Sequence, residues 1–126
     1  MIKVVFCLHR LPSLTVAEFQ DHWLNIHAVL VQKHQKTLRI KRYVQLHTDY
    51  GPMTERLRNF RGSPEPFDGV AEIWYESLEA LQALGRIPEA RAASEELRDD
   101  EERFVDSARS PIWIAEEKET ISAILG

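Results

Sequence analysis

The hydrophobic and polar positions of the chain divide it into four strand-like segments and two helical regions. Each strand-like segment is short, rich in β-branched and aromatic residues, and bounded by turn-forming residues. These segments are residues 2–9, 39–48, 69–75 and 111–117. The order of elements is β-α-β-β-α-β, which predicts an α+β, ferredoxin-like fold with a four-stranded antiparallel sheet.

The first helical region begins with a clear N-terminal signal. Thr15 and Glu18 match a capping box, and Leu14 and Phe19 are spaced as a hydrophobic staple. Apolar residues then recur at three-to-four spacing to about Gln35, which predicts one amphipathic helix. The predicted buried stripe consists of Val16, Phe19, Trp23, Ile26, His27 and Leu30.

The second helical region has two parts. Ser77 is placed to cap a short helix that ends near Gly85, and Pro88 suits the first turn of a longer helix that runs to roughly Val105.

Between the second and third strands, residues 49–68 hold several glycines and prolines and lack a strong period. We therefore expect them to form a long loop that packs over a binding site.

Alternation along the strands predicts two different faces of the sheet. The apolar face, expected beneath the helices, contains Val4, Phe6, Leu8, Val44, Leu46, Ala71 and Ile73. The other face contains Cys7, His9, Tyr43, Gln45, His47, Glu72, Trp74 and Trp113. This second set is too polar for a dry core and too aromatic for an ordinary surface. We expect it to face a second copy, giving a homodimer with a small-molecule cavity; the alternative is an interface without a ligand.

Composition narrows the class of protein. A chain of 126 residues fits one domain over residues 1–126, and a net charge of −4 argues against a nucleic-acid or membrane partner. Cys7 is the single cysteine, which excludes an intramolecular disulfide and fits a cytoplasmic location. The N-terminal apolar run is too short to span a membrane and lacks a cleavage site for export. Phosphate-binding and dinucleotide motifs are absent, so we expect no cofactor.

Three segments resemble the EthD-domain family, in matching order and spacing. Phe19-x-x-x-Trp23-x-x-x-His27-Ala28 is similar to the family signature F-x-x-x-W-x-x-x-H-A. Residues 67–81 resemble its strand and helix start, and residues 99–106 resemble its late-helix D-E-x-R-F-x-D segment. The resemblance implies a dimeric α+β barrel whose relatives include cofactor-free dehydratases, cyclases, decarboxylases and lactone isomerases. Their substrates are small aromatic, polyketide-like or lactone compounds.

Histidines and one tyrosine are the candidate catalytic residues. His27 matches the family histidine and would act as a general acid or base; alternatively, it holds the helix on the sheet. His9 and His47 are placed at the ends of the first two strands, and Tyr43 lies on the same predicted face. These groups could move a proton and stabilise an enolate or phenolate, unless the histidines simply meet solvent.

The candidate substrate-binding residues are Trp23, Phe67, Glu72, Trp74 and Trp113. Carboxylates are rarely buried alone, so Glu72 would orient a histidine, act as a base, or pair with Lys3, Arg39 or an arginine of the partner. A metal held by His9, His47 and Glu72 is a minor alternative.

The sequence thus predicts a cofactor-independent acid–base enzyme, a dehydratase, cyclase, isomerase or lyase, acting on a small apolar or aromatic substrate. One alternative is a cofactor-free monooxygenase of the same superfamily, which would consume oxygen. Another is a non-catalytic binding protein that assists a catabolic oxidase. The substrate is not predicted, because apolar pockets discriminate by shape.

Overall fold

A computed structural model describes residues 1–124, which contain a four-stranded antiparallel sheet. Its strands are β1 (Ile2–Leu8), β2 (Arg42–His47), β3 (Gly69–Tyr75) and β4 (Ile112–Ala115). The strand order is β2-β3-β1-β4, so β1 and β3 are central and β2 and β4 are the edges. The predicted α+β, ferredoxin-like fold is confirmed.

The helices occupy the segments between the strands. They are α1 (Val16–His22), α2 (Ala28–Lys33), α3 (Pro52–Arg61), α4 (Leu78–Leu84) and α5 (Pro88–Glu101), with a π turn over Trp23–His27 and a 3₁₀ turn over Ser107–Arg109. The predicted capping box is present, since Thr15 and Glu18 bond each other's backbone N–H groups. Ser77 caps α4 as predicted. Within residues 1–124, no helix combines the length and the apolar character that crossing a bilayer demands.

The prediction of a loop throughout residues 49–68 is wrong in its central part, where α3 forms. Pro52 occupies the first turn of α3, and Gly62 ends it in the left-handed conformation at φ 64°. Arg58 also pairs with Glu55 one turn away, at 2.7 Å. None of the residues of α3 is buried, so local capping rather than a core-facing stripe stabilises this helix.

The π turn changes which residues of the first helical region are buried. The N–H of Ala28 bonds the carbonyl of Trp23, five residues back, so the turn holds one residue more than an α-helical turn. The prediction placed Ile26 and Leu30 in the stripe. Instead, Ile26 is 48% exposed, and Ala28 and Val31 are buried. The stripe after Trp23 is therefore shifted by one residue.

The predicted face of β2 is wrong, while those of the other strands are right. Tyr43 pairs with Ile73 and Gln45 with Ala71, so Tyr43, Gln45 and His47 lie on the side of the helices. Val44 is opposite Glu72, on the open face. β2 carries apolar side chains on both of its faces, so the alternation of its residues does not decide which face is buried. Val44 and Leu46 were accordingly assigned to the wrong face.

Two hydrophobic clusters fill the space between the sheet and the helices. The first contains Leu8, Phe19, Trp23, Ala71, Phe104 and Val105. The second contains Val31, Leu38, Ile40, Leu84, Ala90 and Ala93. Tyr43 and Ile73 pack against both clusters, so they mark the boundary between them.

Candidate active site

A cavity of about 290 Å³ lies between the helix-facing side of the sheet and the helices. Most of its wall is apolar, with Leu8, Ala71 and Ile73 on the sheet side. The polar side chains of the wall belong to His27, Tyr43, Tyr75, Ser94, Arg98 and Glu101. Apolar walls with a few convergent polar groups are typical of small-molecule sites.

The π turn places His27 at this cavity. Trp23 and His27 are its first and last residues, and both are buried, with exposures of 1% and 5%. Phe104 packs against the rings of both His22 and His27, with centroid separations of 4.7 and 5.1 Å. The imidazole of His27 is therefore fixed on a rigid aromatic support rather than on a loop.

Asp100, near the end of α5, orients His27. His27 Nδ1 lies 2.9 Å from Asp100 Oδ2, and the carboxylate, 1% exposed, also accepts from His22 at 3.0 Å. Burial acts to raise the pKa of Asp100, but the hydrogen bonds from His27 and His22 outweigh it and lower that pKa. An ionised Asp100 can only accept, so Nδ1 of His27 carries the proton and its Nε2 has a free lone pair.

Glu101 faces that second nitrogen. Glu101 Oε2 lies 3.5 Å from His27 Nε2, and the two groups line the same cavity. Burial, with the nearby charge of Asp100, raises the pKa of Glu101 to about 7. Burial also lowers the pKa of His27, against the opposing effect of Asp100. A carboxyl that holds its proton near neutral pH thus lies next to an unprotonated imidazole.

Tyr43 contributes the third polar group. Its hydroxyl accepts a hydrogen bond from Gln45 Nε2 at 2.9 Å. Burial raises the pKa of Tyr43, although hydrogen bonds from Gln45 and the Trp23 side chain act in the opposite direction. The charge of Glu101, which lines the same cavity, raises it further. Tyr43 is therefore a neutral phenol at physiological pH.

The two remaining candidate histidines lie outside this cavity. His47 stacks on Trp23 with ring centroids 4.5 Å apart and lines a separate depression with Leu24 and Ala28. His9 packs on Phe67 at 4.7 Å and lines a third depression, near Tyr50 and Asp68. His9 therefore does not share a wall with Tyr43 and His47 as predicted. Tyr43 and Gln45 do line the depression of His47, and Gln45 joins those two side chains by hydrogen bonds.

Three of the candidate substrate-binding residues lie on the opposite face of the sheet. Glu72 pairs with Lys3 at 2.9 Å, which is the structural alternative stated for it. Trp74 lies between the cations of Lys3 and Arg42, at 4.7 and 4.5 Å from its ring centroid. Trp113 is 47% exposed on the edge strand. Of the five, Trp23 lines the cavity.

The hypothesis of a metal held by His9, His47 and Glu72 fails on geometry. Glu72 lies on the open face, whereas His47 lies on the side of the helices. Across residues 1–124, no group of three or more His, Cys, Asp or Glu side chains has metal-binding geometry.

The sequence prediction missed Asp100 and Glu101. Both lie in a heavily charged stretch of the predicted second helical region, residues 95–103, and such a stretch is typical of a helix face toward water. A signal was nevertheless present, because Ala90, Ala93, Leu97 and Asp100 recur at three-to-four spacing with Phe104. That spacing places Asp100 on the buried stripe of α5, where an unpartnered carboxylate is costly.

Comparison with known proteins places this geometry in a family. A model of the EthD domain matches residues 11–108. An ethyl tert-butyl ether d (EthD) family protein from Bacillus halodurans C-125 has 23% identity and a TM-score of 0.61, over 94% of this chain and 99% of its own. No protein with a curated description matches the chain in sequence.

Two more distant structures share the fold. A dimeric protein of unknown function and ferredoxin-like fold from Bacteroides fragilis NCTC 9343 has 12% identity and a TM-score of 0.57, over 92% of this chain and 95% of its own. A candidate antibiotic biosynthesis monooxygenase from Deinococcus radiodurans has 16% identity and a TM-score of 0.53, over the full length of both chains. At these identities the likeness concerns the fold alone.

Proposed function

This chain belongs to the EthD-domain family, and from that membership and the geometry of its cavity we propose that it is a cofactor-independent acid–base enzyme. Its reaction would be a dehydration, cyclisation, isomerisation or bond cleavage. Its substrate would be a small aromatic, polyketide-like or lactone compound bound among the apolar walls. The lone buried Cys7 fits the expected cytoplasmic location.

The proposed reaction begins with His27 as the base. Nε2 takes a proton from a carbon next to a substrate carbonyl. The electron pair of the broken C–H bond forms a carbon–carbon double bond, and the π pair of the carbonyl moves onto its oxygen. Asp100 stabilises the imidazolium that forms, and Tyr43 donates a hydrogen bond to the developing enolate. Glu101 then gives its proton to a leaving hydroxyl or to another substrate carbon, and is reprotonated when His27 returns the proton it took.

The contact between His27 and Glu101 is the observation that carries this proposal. A histidine that only anchors a helix needs one buried acceptor, and Asp100 supplies it at Nδ1. Anchoring gives no reason for the other ring nitrogen to line a cavity beside a second carboxyl with a raised pKa. Perturbed acid–base groups that converge on one cavity are characteristic of catalytic sites.

We further propose that the protein is a homodimer whose two open sheet faces meet. Leu46 and Trp113 lie on that face and are each 47% exposed, and Val5, Val44 and Val70 lie on the same face. Exposed apolar surface of this kind typically marks an interface. The candidate catalytic cavity lies on the other side of the sheet, so each protomer would hold a complete site.

Deuterium exchange tests the acid–base function without knowledge of the product. Aromatic ketones, 1,3-diketones and lactones are incubated with the protein in D₂O, and mass spectrometry measures deuterium gained at carbon. His27→Gln is expected to lower the exchange rate at least about 100-fold. His34→Gln is the matched control, because His34 also contacts a carboxylate, Glu96, at 2.9 Å but lies outside the cavity.

The outcomes separate the alternatives. Full exchange activity in His27→Gln would contradict the role of this histidine. Oxygen uptake during turnover would indicate a cofactor-free monooxygenase instead. Tight binding with no exchange across the panel would favour a carrier or accessory protein.

A further inference from the structure

Three side chains on the helix-facing side of β2 form a hydrogen-bonded row. Gln45 Nε2 donates to the Tyr43 hydroxyl and to the backbone carbonyl of Trp23, at 2.9 Å in each case. Gln45 Oε1 lies 2.8 Å from His47 Nε2. The acid–base reaction proposed above uses Tyr43 alone among these residues, so the role of Gln45 is unassigned.

The carbonyl of Trp23 determines the direction of every bond in the row. A carbonyl oxygen only accepts, so the amide nitrogen of Gln45 must face it, and both N–H groups of that amide are then used. The Tyr43 oxygen therefore accepts a hydrogen bond from Gln45. Gln45 Oε1 accepts from the N–H of His47, which places the ring proton of that histidine on Nε2. The carbonyl is itself held in place, because it also accepts the N–H of Ala28 in the π turn.

This arrangement leaves the proton of Tyr43 free for a ligand. Within residues 1–124, the Tyr43 hydroxyl accepts from Gln45, and the side chain of Trp23 also acts on it as a donor, whereas no acceptor for its own proton is found. Tyr43 lines the cavity together with His27 and Glu101. A phenol that already accepts a bond from a fixed donor favours a partner for its own proton on the other side of the oxygen.

We propose that Gln45 is a positioning residue that commits Tyr43 to donate into the cavity, so that the site selects compounds with a carbonyl or enolate oxygen at that point. The inference deepens the proposed function and rests on it. A ligand with only an N–H donor there would leave two donors facing each other, and an unpaired buried donor costs binding free energy. Gln45 thus determines which class of ligand binds, because it fixes the direction in which Tyr43 donates its proton.

The first experiment follows the Tyr43 hydroxyl without any substrate. Protein labelled with ¹³C at the tyrosine Cζ is titrated by NMR as wild type and as Gln45→Met, with Tyr43→Phe to assign the signal. The loss of the donor is expected to raise the pKa of Tyr43 by about 1, a tenfold weakening of the phenol as an acid. A lower or unchanged pKa would mean that Tyr43 does not accept from Gln45, and the inference would be wrong.

The matched control for this titration is Gln35→Met. The amide of Gln35 also donates to a backbone carbonyl, that of Ile40, at 3.1 Å, but it does not line the cavity. This variant should leave the pKa of Tyr43 unchanged.

The second experiment measures ligand selection with a matched pair of compounds. Acetophenone carries a carbonyl oxygen where α-methylstyrene, of nearly the same shape, carries a methylene group. The wild type should bind acetophenone about tenfold more tightly, and Gln45→Glu should abolish the preference, because a carboxylate accepts the proton of Tyr43. Equal binding of both compounds to the wild type would overturn the inference; if neither binds, the titration alone decides it.

These two readouts are independent of turnover. In a His27→Gln background, Gln45→Met should still raise the pKa of Tyr43. The preference of the protein for acetophenone should also remain. A failure of the acid–base function is therefore distinguishable from a failure of the role assigned to Gln45.

Discussion

Asp100 and His27 are 73 positions apart in the chain, and their side chains meet at 2.9 Å. The contact joins the last turn of α5 to the π turn, so it fixes both the position of a helix and the protonation of a ring. Asp100 also accepts from His22 and lies 3.3 Å from Arg103, so three side chains share one buried carboxylate. A single residue thus connects the stability of the fold to the chemistry of the cavity.

Asp100→Asn should affect both properties. We expect the free energy of unfolding to fall by about 2 kcal/mol, because an amide has one oxygen and leaves one of the two imidazole donors, His22 or His27, without an acceptor. The proton of His27 should also redistribute between Nδ1 and Nε2, since an amide can donate to Nδ1. Urea denaturation measures the first effect, and ¹⁵N chemical shifts of the imidazole measure the second.

The neighbouring residue gives the control for this variant. Asp99 is exposed, so Asp99→Asn should change the free energy of unfolding by less than about 0.5 kcal/mol. Equal losses in the two variants would contradict the central role of Asp100.

Glu101 should make the stability of the fold depend on pH. Its pKa rises from 4.5 in the unfolded chain to about 7 in the folded protein, so the folded state binds the extra proton. Stability from this group is present below pH 4.5 and is lost as pH rises through 7, by about 3 kcal/mol at most. The difference in unfolding free energy between Glu101→Gln and wild type should therefore grow, in favour of the variant, from pH 5 to pH 8.

The other ionisable groups near Glu101 are the same in the Glu101→Gln variant and in the wild type, so they do not account for a difference between the two proteins. Asp100 and Arg98 act on its carboxyl, and His27 and Tyr43 face it across the cavity, but all four remain in the variant. Glu102→Gln, an exposed neighbour, serves as the control and should track wild type at every pH. A pH-independent difference for Glu101→Gln would show that its pKa is not raised.

Gly69 is required for space at the start of β3. A Cβ at Gly69 would lie 2.3 Å from Cζ3 of Trp23 and 3.0 Å from the carbonyl oxygen of Leu46. Gly69→Ala should therefore displace the indole and lower the free energy of unfolding by about 2 kcal/mol, with a change in near-UV circular dichroism. Gly85→Ala, whose added Cβ would meet its nearest neighbour at 3.4 Å, should leave the near-UV spectrum as in wild type.

The proposed homodimer depends on the apolar character of the open face. Trp113→Glu should convert the dimer to a monomer in light scattering coupled to size-exclusion chromatography, because charges at an interface core oppose association. Phe60→Glu is the control, since Phe60 is 85% exposed on α3, away from the sheet. A wild type that is monomeric at micromolar concentration would contradict the proposed assembly.

The parts of the fold that depend on local signals were predictable from sequence. The capping box at Thr15, the Ser77 cap and the limits of β3 all follow from neighbouring residues. The faces of β1, β3 and β4 also follow, because their alternation is clear. The face of β2 does not, since Val44 and Leu46 compete with Tyr43 for the core and the outcome depends on the Trp23 carbonyl across the interior.

The candidate site was predictable only in part, for a related reason. His27, Trp23 and Tyr43 were identified and lie at one cavity, although Tyr43 lies there through the opposite face from the one expected. The roles of Asp100 and Glu101 were not predicted, because a charged stretch of helix has the same composition whether it faces water or a cavity. The π turn was not predicted, because no simple pattern of residues marks its hydrogen bonds. Helix propensity does not distinguish its five residues from those of an ordinary α-helix.

The π turn also means that the length of this helical region, counted in residues, is itself part of the site. The extra residue lets α1 and α2 keep separate rotational phases, so that Phe19 and Val31 are both buried while His27 meets Asp100. A chain shortened by one residue here, for instance at the exposed Asn25, would regain regular helical hydrogen bonding and turn the imidazole away from the carboxylate. Such a deletion would leave the buried carboxylate of Asp100 without its bond to His27 and would remove the imidazole from the cavity, where Glu101 and Tyr43 would remain. A one-residue difference in the length of this helical region therefore decides whether the proposed base faces the cavity.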